Sequence, residues 1–117
     1  MTQLARLNIE RQENSLVVRL EGEVDVSNAA SVEREIIAAI PNTTAGLVID
    51  LSDVDYMDSS GIRMLFVLHR QLEQRGQRLR AVVPDTTPIK HVLDCLGVGT
   101  LIPCDAALSV ALAQLGG

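Results

Sequence analysis

A short, almost continuous apolar run near the middle of the chain, residues 47–51 (LVIDL), places the strongest limit on the fold. Turn-forming residues bound the run, and its length is that of a strand rather than a helix. A strand that is apolar on both faces must be covered on both faces, which is typical of a strand inside a layered α/β domain. The sequence therefore predicts a central strand here, with helices packed against its sheet.

Alternating apolar residues predict a hairpin before this strand. Its strands lie around residues 7–9 and 16–20, and they are joined by a short turn at residues 13–14. Between the hairpin and the central strand, apolar residues repeat every four positions and predict a helix that Ser27 or Asn28 caps.

The second half of the chain continues the alternation of helices and strands. In order, the patterns predict a helix from Ser60 to about Arg75 that ends at Gly76, a strand at residues 79–83, a helix at residues 88–96, a short strand at residues 101–102 and a last helix capped by Asp105. Residues 1–117 are thus expected to form one α/β domain, with a single mixed β-sheet of about four to five strands and about four helices.

Composition excludes several classes of function. The 15 acidic and 10 basic residues give a net charge of -5, which repels nucleic acid, and one Phe, one Tyr and no Trp leave no stacking platform for bases. No apolar run approaches the ~20 residues of a membrane span. Cys95 and Cys104 lack the spacing of a metal site or a redox motif. We expect a cytoplasmic protein without cofactor, metal, nucleic acid or membrane.

A polar turn follows the central strand and carries Asp58, Ser59, Ser60 and Gly61. Both serines are expected at the start of a helix, beside unpaired backbone N–H groups that favour an anion. Gly61 is expected to leave the surface bare, so that a partner can approach the hydroxyls. The simpler alternative is that Asp58 or a serine only caps the helix.

The helix after this turn has one apolar side that is expected to face the sheet. Spacing of 100° per residue places Ile62, Leu65, Leu68, His69 and Leu72 on that side. The opposite side is expected to collect Ser60, Arg63, Val67, Arg70 and Gln74, with Met64 and Gln71 at its margin. Apolar Val67 and Met64 among polar residues predict a protein-binding face, although scattered apolar residues are also common on monomers.

Three blocks of the sequence resemble the STAS domain, and within that family the stand-alone bacterial anti-sigma factor antagonists. They are residues 20–25 (LEGEVD), residues 47–51 together with 56–61 (YMDSSG), and residues 87–97. The middle block is the most specific.

The resemblance implies that Ser59 is phosphorylated by a serine kinase that is also the anti-sigma factor, and that a serine phosphatase removes the phosphate. The unphosphorylated protein is expected to bind the kinase, and the phosphorylated protein to release it. Asp25 and Asp58 match acidic positions that support partner contact or shape the loop. Arg63 stands where the antagonists often carry a small residue, and it would contact a phosphate, an acidic partner or only solvent. We expect a monomer or weak homodimer.

Three other functions remain as alternatives. An enzyme would use Ser59 or Ser60 as nucleophile with His69 or His91 as base, but the G-x-S-x-G elbow of serine hydrolases is absent. Nucleotide binding lacks a glycine-rich phosphate motif. A non-switching scaffold subunit of a stressosome-like or lipid-transport-associated assembly needs the same fold and a similar face, and is the main alternative.

Overall fold

The computed structural model describes residues 5–12 and 14–115. The strands are β1 (Ala5–Gln12), β2 (Ser15–Val24), β3 (Gly46–Met57), β4 (Arg78–Val82) and β5 (Cys104–Asp105). The helices are α1 (Ala29–Ala39), α2 (Ser59–Gln74), α3 (Lys90–Cys95) and α4 (Leu108–Gln114), and a 3-10 turn at Val98–Thr100 precedes β5. This mixed sheet confirms the predicted α/β class and the predicted order of elements.

The five strands lie in the sheet in the order in which they occur in the chain. β1 and β2 form an antiparallel hairpin, and β2, β3, β4 and β5 run parallel to one another. Each parallel step is a crossover through one helix, and right-handed crossovers that proceed in one direction place their helices on one face. The carboxyl ends of β2 and β3 therefore meet at the same end of the sheet.

Two apolar clusters lie on opposite faces of this sheet. The larger one joins α1, α2 and α3 to the sheet and includes Ile36, Leu65 and Leu93. The smaller one packs α4 onto β2, β3 and β4 through Val17, Val48, Val82, Ala111 and Leu115. Leu47, Val48 and Ile49 are fully buried, so the predicted covering of the central strand on both faces is confirmed.

The end of α2 is defined by local hydrogen bonds. Gly76 has a φ of 72°, its N–H donates to the carbonyl of Glu73, and the N–H of Gln77 donates to the carbonyl of Leu72. These two bonds form the Schellman motif, in which glycine accepts the left-handed conformation without a Cβ penalty. The predicted end of the helix at Gly76 is confirmed.

The short strand predicted at residues 101–102 is wrong. The N–H groups of Leu101 and Ile102 both donate to the carbonyl of Val98, so they complete the 3-10 turn and are not free for a sheet. β5 begins only after Pro103, at Cys104.

Two predicted helix caps are also wrong. Asp105 belongs to β5 and forms an ion pair with Arg80, while α4 begins three residues later. Asn28, one of the two predicted caps of α1, does hold the position before the helix, but no side chain caps it, because the side-chain amide of Asn28 and the hydroxyl of Ser27 form hydrogen bonds within the preceding loop.

The longest helix within the described ranges, α2, has 16 residues, and no helix there is long and apolar enough to cross a membrane.

Candidate functional site

An irregular end of β3 leads into the polar turn. Where β3 runs beside β2, Gly22 pairs with Val54 but Glu23 pairs with Tyr56, so Asp55 is an extra residue in β3. Such a bulge reverses the alternation of side chains, which leaves Tyr56 51% exposed while Met57 is buried. The bulge thus places an exposed aromatic ring immediately before the turn.

Asp58 caps α2 and connects it to the loop after β2. Its Oδ1 atom accepts hydrogen bonds from the backbone N–H groups of Ser60, at 2.8 Å, and Gly61, at 3.2 Å. Its Oδ2 atom accepts a hydrogen bond from the backbone N–H of Val26, at 3.2 Å. One carboxylate therefore satisfies three backbone donors from two segments of the chain. The alternative in which Asp58 caps the helix agrees with this geometry.

The expectation of unpaired N–H groups beside both serines is wrong for Ser60 and Gly61, because the Asp58 carboxylate already occupies them. Ser59 is the first residue of α2 and is exposed, whereas Ser60 is half-buried. The predicted location of both serines at the start of the helix is confirmed. Of the two hydroxyls, that of Ser59 belongs to the more accessible residue.

The loop after β2, residues 25–28, is held in shape by Asp25 and Asn28. Asp25 Oδ1 accepts hydrogen bonds from the N–H and the hydroxyl of Ser27. Asn28 Oδ1 accepts from the N–H of Asp25 at 3.0 Å, and Asn28 Nδ2 donates to the carbonyl of Glu23 at 2.9 Å. Asp25 is thus close in the fold to the start of α2 and shapes its own loop. This arrangement projects Val26 outward with 79% of its surface exposed.

Gly61 is buried, so the expectation that it leaves the surface bare is wrong. A Cβ at this position would lie 2.4 Å from Met57 Cγ and 3.1 Å from both Val24 Cγ1 and the Val24 carbonyl oxygen. Close packing of α2 against the ends of β2 and β3 therefore explains the glycine. Its contribution to the site is to let the helix begin close to the sheet.

The prediction that Met64 lies at the margin of the outer face of α2 is wrong. Met64 is only 1% exposed and belongs to the main core. α2 contacts α1 as well as the sheet, so its buried side is wider than one sheet-facing stripe. Met64 consequently offers no surface to a partner. The other predicted members of the outer face are exposed or half-buried: Ser60, Arg63, Val67 and Arg70.

A shallow groove of about 420 Å³ runs along the outer side of α2. Arg63 and Arg70 are exposed at the groove, and its apolar part comes from Phe66, Val67 and Leu101. Leu101 is 50% exposed and comes from the segment before β5. The groove combines two guanidinium groups, the imidazole of His69 and the carboxylate of Glu73 with apolar surface, and arginine and aromatic residues are enriched at protein-binding surfaces.

Four exposed or half-buried residues around the site were missing from the sequence-based set: Val26, Tyr56, Phe66 and Leu101. Tyr56 was outside the predicted strand, and the position of Val26 depends on a loop that no periodicity describes. Phe66 lies three residues after Arg63 and four before Arg70, a spacing that shares one side of a helix, so the helical projection alone could have included it. Leu101 comes close to α2 only through the tertiary fold.

Neither of the two histidines lies where a catalytic base for Ser59 or Ser60 would have to be. His69 Nε2 is 3.9 Å from a Glu73 carboxylate oxygen. The ring of His91 lies beside Cys95, with Nε2 at 3.4 Å from Sγ. Among the described residues, neither histidine forms a hydrogen bond with Ser59 or Ser60. In the same part of the chain, no group of three or more His, Cys, Asp or Glu side chains is placed to hold a metal ion.

Comparison with known proteins identifies relatives over almost the whole chain. The family model of the STAS domain matches residues 6–111. The chain is 32% identical over 96 residues to the anti-sigma-B factor antagonist of Bacillus subtilis (strain 168), a match that covers 75% of this chain and 87% of that protein. It is 27% identical over 99 residues to the anti-sigma F factor antagonist of Paenibacillus polymyxa, covering 84% of each protein.

Solved structures show the same fold. An anti-sigma factor antagonist from Mycobacterium paratuberculosis superimposes with a TM-score of 0.81 at 25% identity, covering 97% of this chain and 95% of that chain. The unphosphorylated form of the anti-sigma factor antagonist SpoIIAA superimposes with a TM-score of 0.76 at 23% identity, covering 94% of this chain and 96% of that chain.

Proposed function

The chain belongs to the STAS domain family, and we propose that within it this protein is an anti-sigma factor antagonist that switches partners by phosphorylation of Ser59. In this proposal, the unphosphorylated form binds an anti-sigma factor that is a serine kinase, and the phosphorylated form releases it. A serine phosphatase resets the protein. The names of the relatives support the antagonist role, and the geometry around Ser59 supports the switch.

The exposed position of Ser59 at the start of α2, directly after the capping residue Asp58 in the chain, is the observation that carries the proposal. Ser59 is exposed at the first position of α2, where a kinase can reach its hydroxyl. A phosphate there would add about -1.5 to -2 charges. The N–H groups of Ser60 and Gly61, which would otherwise receive such an anion, already bond to Asp58.

This arrangement directs the added charge toward a partner. Because the Asp58 carboxylate occupies the start of the helix, a phosphate on Ser59 would meet a like charge and would extend into solvent. A partner that fits closely over the unphosphorylated loop would then have to bury a phosphate without a backbone cradle. The energetic cost of burying an unpaired charge explains release.

The surface around Ser59 has the composition that such a partner requires. We define the docking face as Val26 and Tyr56 on one side of the 58–61 loop and Arg63, Val67 and Arg70 on the other. Val26 and Tyr56 supply exposed apolar area, and the two arginines, exposed at the groove along α2, supply positive charge. Asp25 acts by shaping the loop that projects Val26. We expect the partner to bring apolar and acidic side chains to this face.

The switch is tested by intact-mass spectrometry after incubation with ATP and a candidate anti-sigma serine kinase, comparing the wild type with Ser59→Ala and Ser60→Ala. We expect one added phosphate in the wild type and in Ser60→Ala, and none in Ser59→Ala. Kinase binding, measured by calorimetry, is expected to be retained by Ser59→Ala and weakened at least tenfold by the phosphate, which corresponds to about 1.4 kcal/mol or more.

Two results would contradict this proposal in different ways. Loss of the phosphate only in Ser60→Ala would move the acceptor to the neighbouring serine. Tight kinase binding that a phosphate on Ser59 does not change would remove the switch and favour the non-switching scaffold role.

A further inference from the structure

Among the described residues, β1 forms one edge of the sheet, because β2 is the single strand beside it in the strand order. An edge strand offers backbone N–H and C=O groups to another strand. Which residues offer them follows from the hairpin, where Gln12 pairs with Ser15 across a two-residue connection. The pair that closes such a hairpin exchanges both backbone hydrogen bonds, so even-numbered residues of β1 point their backbone groups toward β2. The backbone groups that point outward belong to Ala5, Leu7, Ile9 and Arg11.

We propose that β1 pairs in antiparallel orientation with β1 of a second copy of this chain, so that two five-stranded sheets join into one sheet of ten strands. The two-fold axis passes through Asn8 and lies perpendicular to the sheet. Such a pairing keeps the helices of both copies on the same face. The inference stands independently of the phosphorylation switch, because it concerns a different edge of the molecule.

The direction of the backbone groups limits the register of this pairing. Two outward-pointing residues must face each other, so an odd-numbered residue always faces an odd-numbered residue of the second copy. With Asn8 on the axis, Leu7 faces Ile9 and exchanges hydrogen bonds with it, and the same pair occurs again on the other side of the axis. Arg6 then faces Glu10, also twice.

The register centred on Asn8 has two neighbouring registers that also keep odd-numbered residues opposite each other. Of these three, it alone places opposite charges face to face. A shift toward the hairpin places Ile9 on the axis and Arg6 opposite Gln12, and a shift in the other direction places Arg6 opposite Asn8. Directly opposite side chains on one face of an antiparallel pair lie close enough to interact, and opposite charges there are favourable. Charge complementarity therefore selects the second copy in the register centred on Asn8.

The residue directly opposite Glu10 on β2 is not a cation, and this supports the pairing of β1 with a second copy. Its cross-strand neighbour within the chain is Val17, which is buried and apolar. The nearby Gln12 side chain donates a hydrogen bond to Glu10 from Nε2 at 3.2 Å, which orients the carboxylate on the open face of the sheet. Arg6 of the second copy would supply the missing cation. Arg6 itself lies opposite Glu21 in its own chain, so the pairing would place it between two carboxylates.

The other face of β1 contributes an apolar contact. Leu7 packs against the main core, and Ile9, two residues along the same face, is 41% exposed. In the proposed register Ile9 of each copy meets Leu7 of the other. Burial of Ile9 adds a favourable apolar term to the backbone hydrogen bonds.

Charged residues on edge strands often prevent pairing with another strand. The signs of the charges show whether an edge strand blocks pairing or permits it. A protective pattern places like charges opposite each other in the pairing that it blocks. Here the two-fold axis places unlike charges opposite each other. The contact involves only about seven residues of each strand, so we expect a weak dimer at the low end of interface sizes.

The test is sedimentation equilibrium of the full chain over about a hundredfold range of concentration that reaches the millimolar range, where weak dimers form. We expect a concentration-dependent dimer for the wild type. Arg6→Glu and Glu10→Arg should each weaken it about tenfold, because each creates two like-charge pairs. The double variant Arg6→Glu/Glu10→Arg should restore it, because each cross-copy pair again joins opposite charges.

Two further variants separate the strand contact from general charge effects and from misfolding. Arg70→Glu changes the net charge by the same amount as Arg6→Glu but lies on α2, so it should leave the dimer unchanged. Ile9→Pro removes an outward-pointing N–H and keeps the ladder to β2, so it should abolish the dimer while circular dichroism still shows a folded chain.

A monomeric wild type at every concentration would overturn the proposal. A dimer that Ile9→Pro leaves intact would place the contact elsewhere. Failure of the folded double variant to recover the dimer would reject the register centred on Asn8.

Discussion

The carboxylate of Asp58 and the backbone N–H of Val26 are joined by a hydrogen bond of 3.2 Å between two loops that are 32 residues apart in the chain. The same carboxylate caps α2, so the loop after β2 and the start of the helix are held by one side chain. Any change at Asp58 therefore acts on the exposed Val26 side chain as well as on the helix.

Replacing Asp58 by Ala is expected to lower the free energy of unfolding by about 1 to 2 kcal/mol, the upper part of the range for a lost helix cap. The reason is that three N–H groups lose one shared acceptor. Urea denaturation measures the change. Asp55→Ala is the matched control, because Asp55 is an exposed aspartate near the end of β3, three residues before Asp58, and its replacement removes the same charge. Equal effects of the two variants would show that charge alone, and not the cap, stabilises this end of the sheet.

Replacing Gly61 by Ala is expected to destabilise the chain by about 1 to 3 kcal/mol through overpacking. The new Cβ would lie 2.4 Å from Met57 Cγ, so either the side chain or the helix must move. Gly99→Ala is the control, since no atom lies within 4 Å of its Cβ position. A thermal unfolding series compares the two. If both variants unfold at the same temperature as the wild type, the helix has room to begin further from the sheet than the structure shows.

Met64 and Val67 separate stability from partner binding. Met64→Ala creates a cavity in the main core and is expected to cost about 2 to 5 kcal/mol of unfolding free energy. Val67→Ala removes part of a half-buried side chain at the groove and should cost much less stability, but it should weaken binding of the proposed kinase partner. Denaturation and calorimetry on both variants test this. The assignment fails if Val67→Ala binds the kinase as tightly as the wild type does.

The Arg80–Asp105 ion pair is expected to stabilise the attachment of β5. Arg80 Nε and Nη2 donate to the two carboxylate oxygens of Asp105 at 2.7 and 3.0 Å, and this hydrogen bonding raises the pKa of Arg80, which therefore stays charged. Asp105→Asn should lower the free energy of unfolding by about 1.5 to 3 kcal/mol, as expected for a hydrogen bond to a charged group.

The exposed pair of Lys90 and Asp94 provides the control for this prediction. Asp94→Asn removes the same type of charge from a surface pair on one helix and should have little effect on stability. A loss of stability in Asp94→Asn as large as that in Asp105→Asn would mean that general charge balance, not the contact with β5, causes the effect.

Cys104 is expected to react slowly with alkylating reagents. Cys104 is an exposed residue, but its Sγ lies 3.4 Å from the carbonyl oxygen of Ile102, and partial desolvation of the sulfur, with the charge of nearby Asp105 as a further cause, raises the pKa of Cys104 above its ordinary value. A raised pKa leaves less thiolate at a given pH, and the thiolate is the reactive form. Alkylation by iodoacetamide, followed by peptide mass spectrometry, should therefore be slower than for a small-molecule thiol at pH 8 and should rise as the pH increases. A rate equal to that of the free thiol would contradict the raised pKa.

The elements with strong periodicity were predictable, and the features that depend on tertiary contacts were not. The apolar run at residues 47–51 and the hairpin pattern identified the sheet correctly. β3 extends to Met57, and a bulge at Asp55 turns Met57 inward. The bulge interrupts the alternation of apolar and polar residues, so the sequence pattern did not predict the last part of the strand. Met64 was assigned to the helix margin because the projection assumes a single packing partner, whereas α2 has two.

The same difference applies to the candidate site. The sequence predicted the start of α2 to within one residue, at Ser60 instead of Ser59, and named Asp58 among the possible caps, because capping chemistry is local. It could not show that the carboxylate also binds Val26, or that Gly61 is needed for packing, since both depend on how β2 meets α2. The sequence pattern misplaced the strand before α4. The N–H groups of residues 101–102 donate to the carbonyl of Val98 in the turn after Gly97, and the pattern does not show this turn.

The three donors that Asp58 binds are all main-chain groups, and this has a consequence for the divergence of related proteins. A contact made to backbone atoms does not depend on the identity of the side chains at residues 26 and 60. Mutations there, other than to proline, can accumulate without loss of the cap, provided that aspartate remains at position 58 and glycine at position 61. New partner preferences can therefore evolve on this surface while its framework stays the same.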